Sequence, residues 1–202
     1  MPLGQTATRR SQRWSAGRSM SNRFGPVSQA LHWVLALLIL AELALGHTML
    51  GAESKELRRA LVSLHKPIGL LILSLVLVRI AWRVRVGLPE WPAGLTSRHT
   101  RVLRTLEGLL YLLMVGMPLS GLTMNMAAGW TIPLFGLLEI PSLLPESEIW
   151  HERLEIVHGV GAKTFLAAIL VHLAIVLYYD RRLSKGFLTR MLPMRGHGAK
   201  RR

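Results

Sequence analysis

HGVGAKTFLAAILVH, residues 158–172, is almost wholly apolar, yet an imidazole stands at each end. A helix turns 100° and rises 1.5 Å per residue. Fourteen steps therefore turn about 1400°, about 40° short of four full turns, and rise about 21 Å. His158 and His172 share one helix face at two depths. The stretch lies within a longer apolar run, roughly Ile156 to Tyr179, long enough to cross a hydrocarbon core about 30 Å thick. A membrane-spanning helix with two imidazoles on one side is the feature from which the fold reads outward.

Three further runs of this kind precede it, roughly Val27–Met49, Leu61–Trp82 and Leu103–Met126. Half of the 202 residues are hydrophobic, and a soluble domain of this size has little use for four such blocks. The expected fold class is all-α, an integral membrane four-helix bundle with sequential helices antiparallel. Pro26 suits the first turn of span one. Pro67 falls early in span two, where a missing N–H does least harm. Pro118 predicts a kink in span three. The Gly/Pro-rich residues 129–145 form the longest outer connection, and Trp130 and Trp150 suit a membrane interface.

Charge sets the expected orientation. The formal net charge is +14, and the arginines and lysines cluster before span one, between spans two and three, and after span four. The other two connections carry most of the glutamates. This alternation is the positive-inside pattern and predicts cytoplasmic N and C termini. Nucleic acid is not an expected partner, because the basic runs have no soluble domain to present them. Residues 1–24 read as a basic cytoplasmic arm, 25–182 as the four-span domain and 183–202 as a basic cytoplasmic tail. The first apolar run is too long for a signal peptide, and no small-residue cleavage site follows it. With no cysteine, disulfides, thiolate-held iron–sulfur clusters and covalent c-type haem attachment are excluded.

Ionisable groups within a membrane are costly and mark function. Of eight histidines, four fall at two matched depths: His32 and His172 toward the cytoplasmic side, His65 and His158 toward the outer side. Such pairs on facing helices suit two stacked, non-covalent haems, each held by two imidazoles. A proton relay, hydrogen bonding to nearby carbonyls, or a zinc ion with ligands still to be found are the alternatives. His47 is the rival for the outer site, turned about 60° from His32 on span one. His151 lies about 31 Å above His172, at headgroup depth. His99 and His197 sit in basic segments and read as solvated. Gly69, Gly116, Gly121, Gly159 and Gly161 would admit a flat cofactor or close helix packing equally well. Lys66 and Arg153 are candidate contacts for an anionic substrate or a haem propionate. Lys163 and Glu42 lie inside spans with no assigned role; Lys163 is turned about 140° from His158, away from the histidine face.

Several short motifs carry a resemblance. Arg23-Phe24 with Gln29-Ala30-Leu31-His32-Trp33 resembles the opening of the bacterial cytochrome b561 family. His65-Lys66-Pro67-Ile68-Gly69 is similar to its span-two motif and Pro118-Leu119-Ser120-Gly121 to its span-three motif. The span-four histidines with Arg190-Met191-Leu192-Pro193 resemble its ending, so the likeness covers about residues 23–193. It implies a four-helix cytochrome of the bacterial inner membrane with two haem b groups, ligated by His32, His65, His158 and His172. It also implies electron exchange with ubiquinone or another quinone. One branch oxidises superoxide to oxygen while reducing ubiquinone, and related proteins are electron-transfer subunits of larger respiratory complexes. Where that branch often carries a further histidine pair, Tyr178, Tyr179 and Asp180 stand here. The resulting expectation is a quinone-linked oxidoreductase fed from the outer side by a small anionic or protein donor. A non-catalytic subunit beside a partner, and a haem-free membrane protein, are the alternatives.

Overall fold

The computed structural model describes residues 23–92, 94–182 and 187–192. Most of the expected arm (1–24) and tail (183–202), with His197, lies outside the described residues. Four long helices make up the body: α1 (Pro26–Leu50), α2 (Lys55–Val86), α3 (Ser97–Ala127) and α4 (Glu148–Arg182). All four are long and apolar enough to cross a membrane.

Local chemistry sets their ends. Pro26 opens α1 at a position where no N–H is needed. Ser54 caps α2, its hydroxyl accepting from Leu57 N at 3.1 Å. Gly87, at φ 73°, ends α2 in a conformation that favours glycine. Thr96 and His99 form a capping box at the start of α3. His99 was expected solvated in a loop. It is instead part of the helix start, with its ring 5.4 Å from that of Tyr179. The helices overrun the expected spans at both ends, because polar residues with good caps extend them beyond the apolar runs. Both Pro67 and Pro118 lie inside continuous helices.

α1 packs along α2, α2 along α3 and α3 along α4. A cluster of Leu35, Ile39, Ile72, Val76 and Phe165 joins α1, α2 and α4 at mid-depth. The outer surface is apolar instead: Leu37, Leu112 and Ile156 are among many large side chains left exposed. Water would penalise such a surface, and lipid does not.

The connection between α3 and α4 contains a small antiparallel hairpin, β1 (Ile132–Leu134) with β2 (Leu138–Ile140). No strand was expected there. Ile132 is buried, and β1 packs against α2. The connection is fastened to the end of α3 by Ser147 N donating to Ala127 O (2.8 Å) and Ser142 Oγ to Met126 O (2.8 Å).

At the other end, the first described residues meet the last described ones. A 3₁₀ turn, Leu188–Arg190, lies against the start of α1. Phe24 N and Gln29 Nε2 both donate to Arg190 O, and Trp33 Nε1 donates to Met191 O at 2.7 Å. Arg190 is 6% exposed and donates to Glu90 O, with Phe24 beneath its guanidinium. Burial lowers its pKa from the ordinary arginine value, but an arginine stays charged in proteins. Hydrogen bonds to charged groups contribute about 1.5–3 kcal/mol each. Arg190→Ala is therefore expected to loosen this turn, seen as faster amide hydrogen exchange at Met191 and Phe24 with the helix centres unchanged. Unchanged exchange there would show that the turn is held by other contacts.

Candidate haem-binding sites

α2 and α4 bring His65 and His158 together inside the bundle, toward the end where α1 finishes and α2 begins, termed the outer end after the charge pattern of the sequence. Their ring centres are 6.1 Å apart and their planes nearly perpendicular, at 86°. Each ring has its Nδ1 engaged by a neighbour. His158 Nδ1 lies 2.9 Å from Ser120 Oγ, and that hydroxyl donates onward to Met117 O at 2.8 Å. A hydroxyl already donating its proton accepts from the ring, so Nδ1 carries the hydrogen and Nε2 keeps its lone pair. His65 Nδ1 lies 3.0 Å from Glu42 Oε1 on α1. The distance suits an ion pair, although the alignment falls short of a good hydrogen bond, leaving Nδ1 and Glu42 Oε2 without a well-aligned partner.

These features fit a metal held between two imidazoles. With imidazole–metal bonds of about 2 Å, ring centres 6.1 Å apart leave room for one metal ion between them. The second nitrogen of a ligating histidine is normally held by a carboxylate, carbonyl or hydroxyl; here Ser120 holds that of His158 and the Glu42 carboxylate lies beside that of His65. The backbone also makes room. A Cβ at Gly121 would lie 3.0 Å from His158 Cε1, and one at Gly69 3.4 Å from Glu42 Oε1. Gly161 instead serves helix packing, since a Cβ there would meet Met117 Sδ. Gly116 and Gly159 face open space.

The second pair lies about 21 Å along α4. His32 on α1 and His172 on α4 are close enough to interact electrostatically. Around them is a polar cluster that sequence reasoning missed. Arg79 Nη2 lies 3.2 Å from His32 Nδ1, and Arg79 also donates to Tyr111 Oη (3.1 Å) and Ser28 O (3.4 Å). Arg83 is paired with Glu107 and donates to Tyr111 Oη. Ligation of His32 through Nε2 leaves a proton on Nδ1. Ser28 O and Tyr111 Oη then remain to hold the guanidinium beside the ring.

Between the two levels stands Phe165, buried and seven residues from each α4 histidine. It was also passed over, although its even spacing between two marked positions was a usable signal.

The other candidates lie apart. His47 is exposed on α1. His151 Nδ1 lies 3.1 Å from Met124 O, and its ring packs on Trp130. Lys66 holds its ammonium 5.3 Å from the Trp130 ring centre, and Arg153 stacks over Trp150. Both therefore sit among the aromatic side chains of the outer end. Lys163 is exposed on the outward face of α4, where a lysine reaches for the interface.

Comparison with known proteins agrees with this arrangement of helices. The family model described as prokaryotic cytochrome b561 matches residues 23–194. Cytochrome b561 homolog 2 of Escherichia coli K12 is 32% identical over 127 residues, covering 62% of this chain and 67% of that protein. Cytochrome b562 of Cereibacter sphaeroides is 40% identical over 98 residues, covering 46% of this chain and 60% of that protein. The chain belongs to the prokaryotic cytochrome b561 family, as a multi-pass membrane cytochrome that transfers electrons through haem b.

Proposed function

We propose that the chain carries two haem b groups and passes single electrons across the bacterial inner membrane, from an outer-side donor to the quinone pool. One haem is held by His65 and His158, the other by His32 and His172. The observation that carries this reading is the apposition of His65 and His158 at 6.1 Å, with both Nδ1 atoms facing protein partners. Haem, when bound, supplies a one-electron carrier at each level.

The protein's part is to place and insulate those levels. Ser120 and Glu42 fix the ring orientations at the outer site. Leu35, Ile39, Ile72, Val76 and Phe165 exclude water from the layer between the sites. With two imidazoles at each site, the protein would hold each haem so that a donor reaches its edge rather than its iron. Lys66 and Arg153 set positive charge at the outer end, which draws anions toward it. The family resemblance favours superoxide as the donor and ubiquinone as the acceptor. Two superoxide anions then yield two dioxygen molecules, while one quinone takes up the two electrons and two protons to become quinol. The clustered arginines at the end where α1 begins support the reading of that end as cytoplasmic.

A reduced-minus-oxidised spectrum of the purified protein is expected to show a b-type band equivalent to two haems per chain. The same preparation is expected to reduce ubiquinone when superoxide is supplied. A missing b-type band would remove the haem reading altogether. Intact haems without quinone reduction would favour the alternative of an electron-transfer subunit acting beside a partner.

A further inference from the structure

We infer that Glu42 and Arg79, side chains of opposite charge, set the two haem sites at different reduction potentials, the outer one lower, and so give the bundle a direction for electron flow. This rests on the two-haem reading above and goes beyond it in naming what separates the two sites.

Glu42 lies in the middle of ALLILAELALG, residues 36–46, where a carboxylate has no place on packing grounds. α1 nevertheless turns it inward. Its side chain is 13% exposed and that of His65 22%, with 3.0 Å between Oε1 and Nδ1. Oε2 is buried with no hydrogen-bond partner, so the carboxylate's one neighbour of opposite polarity is His65. A carboxylate behind a ligating imidazole makes the ligand nitrogen a stronger donor. It also puts negative charge within a few ångströms of the metal. Both effects favour the oxidised iron, whose charge is one unit more positive, and lower the potential.

The inner site has the reverse arrangement. Arg79 stands beside His32 at the equivalent position, 3.2 Å from Nδ1. A guanidinium has no acceptor atom and keeps its charge, so it cannot take up the ring proton as a carboxylate can. Its positive charge disfavours the oxidised iron and raises the potential. Tyr111 and Ser28 hold it in place. The neighbouring Arg83 and Glu107 carry opposite charges and largely cancel. At the outer site Lys66, next to His65 in sequence, directs its ammonium to Trp130. With haem bound at both sites, the two charges would favour electron transfer from the outer site to the inner one.

The test is a spectroscopic redox titration of the haem-loaded protein in nanodiscs. His158→Ala and His172→Ala identify the inner and outer midpoints, since each keeps one haem. The wild type is expected to show the outer haem at the lower potential. Glu42→Gln is expected to change the outer site's ferric-to-ferrous ratio at fixed potential at least tenfold in favour of ferrous, about 59 mV for a one-electron couple. Glu42→Asp should restore most of it. Arg79→Gln should move the inner midpoint down by a similar factor, with Arg79→Lys restoring it. Equal or reversed midpoints in the wild type would overturn the inference even if Glu42→Gln failed to retain haem. So would loaded Glu42→Gln protein titrating at the wild-type values. A chain without two b-type haems defeats the underlying reading instead, which makes the two failures distinguishable.

Discussion

His158→Ala is expected to leave the purified protein with one of the two proposed haems, and to stop electron flow through the site it shares with His65. The ring it removes is one of two that face each other at 6.1 Å, and Ser120 offers only a hydroxyl in its place. Losing even a group behind a ligand costs metal sites about 10–100-fold in affinity or activity, and losing the ligand itself costs more. His65→Ala should act in the same way, because it empties the other side of the same site. His172→Ala should remove the inner haem and spare the outer. Haem extraction with quantitation per chain, alongside the b-type spectrum, checks each variant. His47 is the control, exposed on α1, and His47→Ala should keep both haems. If His47→Ala lost a haem while His65→Ala did not, the outer site would have to be built on His47.

Gly121→Leu is expected to be nearly as damaging, although it removes no ligand. A Cβ at residue 121 would already sit 3.0 Å from His158 Cε1, tighter than nearly all Cβ contacts in proteins. The remaining leucine atoms have nowhere to go but the space of the ring. Overpacked interiors typically cost about 1–3 kcal/mol, and here the group that gives way is the ligand. The outer haem should be lost or its band shifted. Gly121→Ala should weaken the site more mildly, because His158 need shift only by tenths of an ångström. Gly116→Leu lies on the same helix with open space around its Cβ and should leave both haems in place. A Gly121→Leu protein with a full, unshifted spectrum would mean that the ring position does not matter for binding.

The two tests draw on different kinds of information. The histidines and the four helices were legible from spacing alone, because helix geometry converts residue number into angle and depth. Membrane thickness then limits which depths can pair. What spacing does not give is rotation of one helix against another, which is set by packing between residues distant in sequence. Glu42 stood out as a charge in an apolar run, but its partner His65 depends on how α1 is turned toward α2. Arg79 and Arg83 read as part of the basic end of span two, and only their meeting with Tyr111 and Glu107 of α3 makes them an inner cluster. Ser120 belonged to a recognisable motif, but its hydroxyl acquires a purpose only opposite His158. The hairpin after α3 was hidden for a different reason. Its strands are three residues each, too short to show alternation, and Pro133 within the first argues against a strand.

The turn at Leu188–Arg190 has a consequence for assembly. The helices pack extensively as three sequential pairs, each joined by a connecting segment, whereas α1 and α4 are joined by none. The seam between the first and last helices is therefore the one that no peptide bond closes. His32 lies on one side of it and His172 on the other. The hydrogen bonds from Phe24, Gln29 and Trp33 to Arg190 and Met191 fasten its end. Parting that seam breaks a handful of non-covalent bonds and stretches no linker. The turn that closes this seam follows α4 in the chain, so the seam can be fastened only after all four helices have been made.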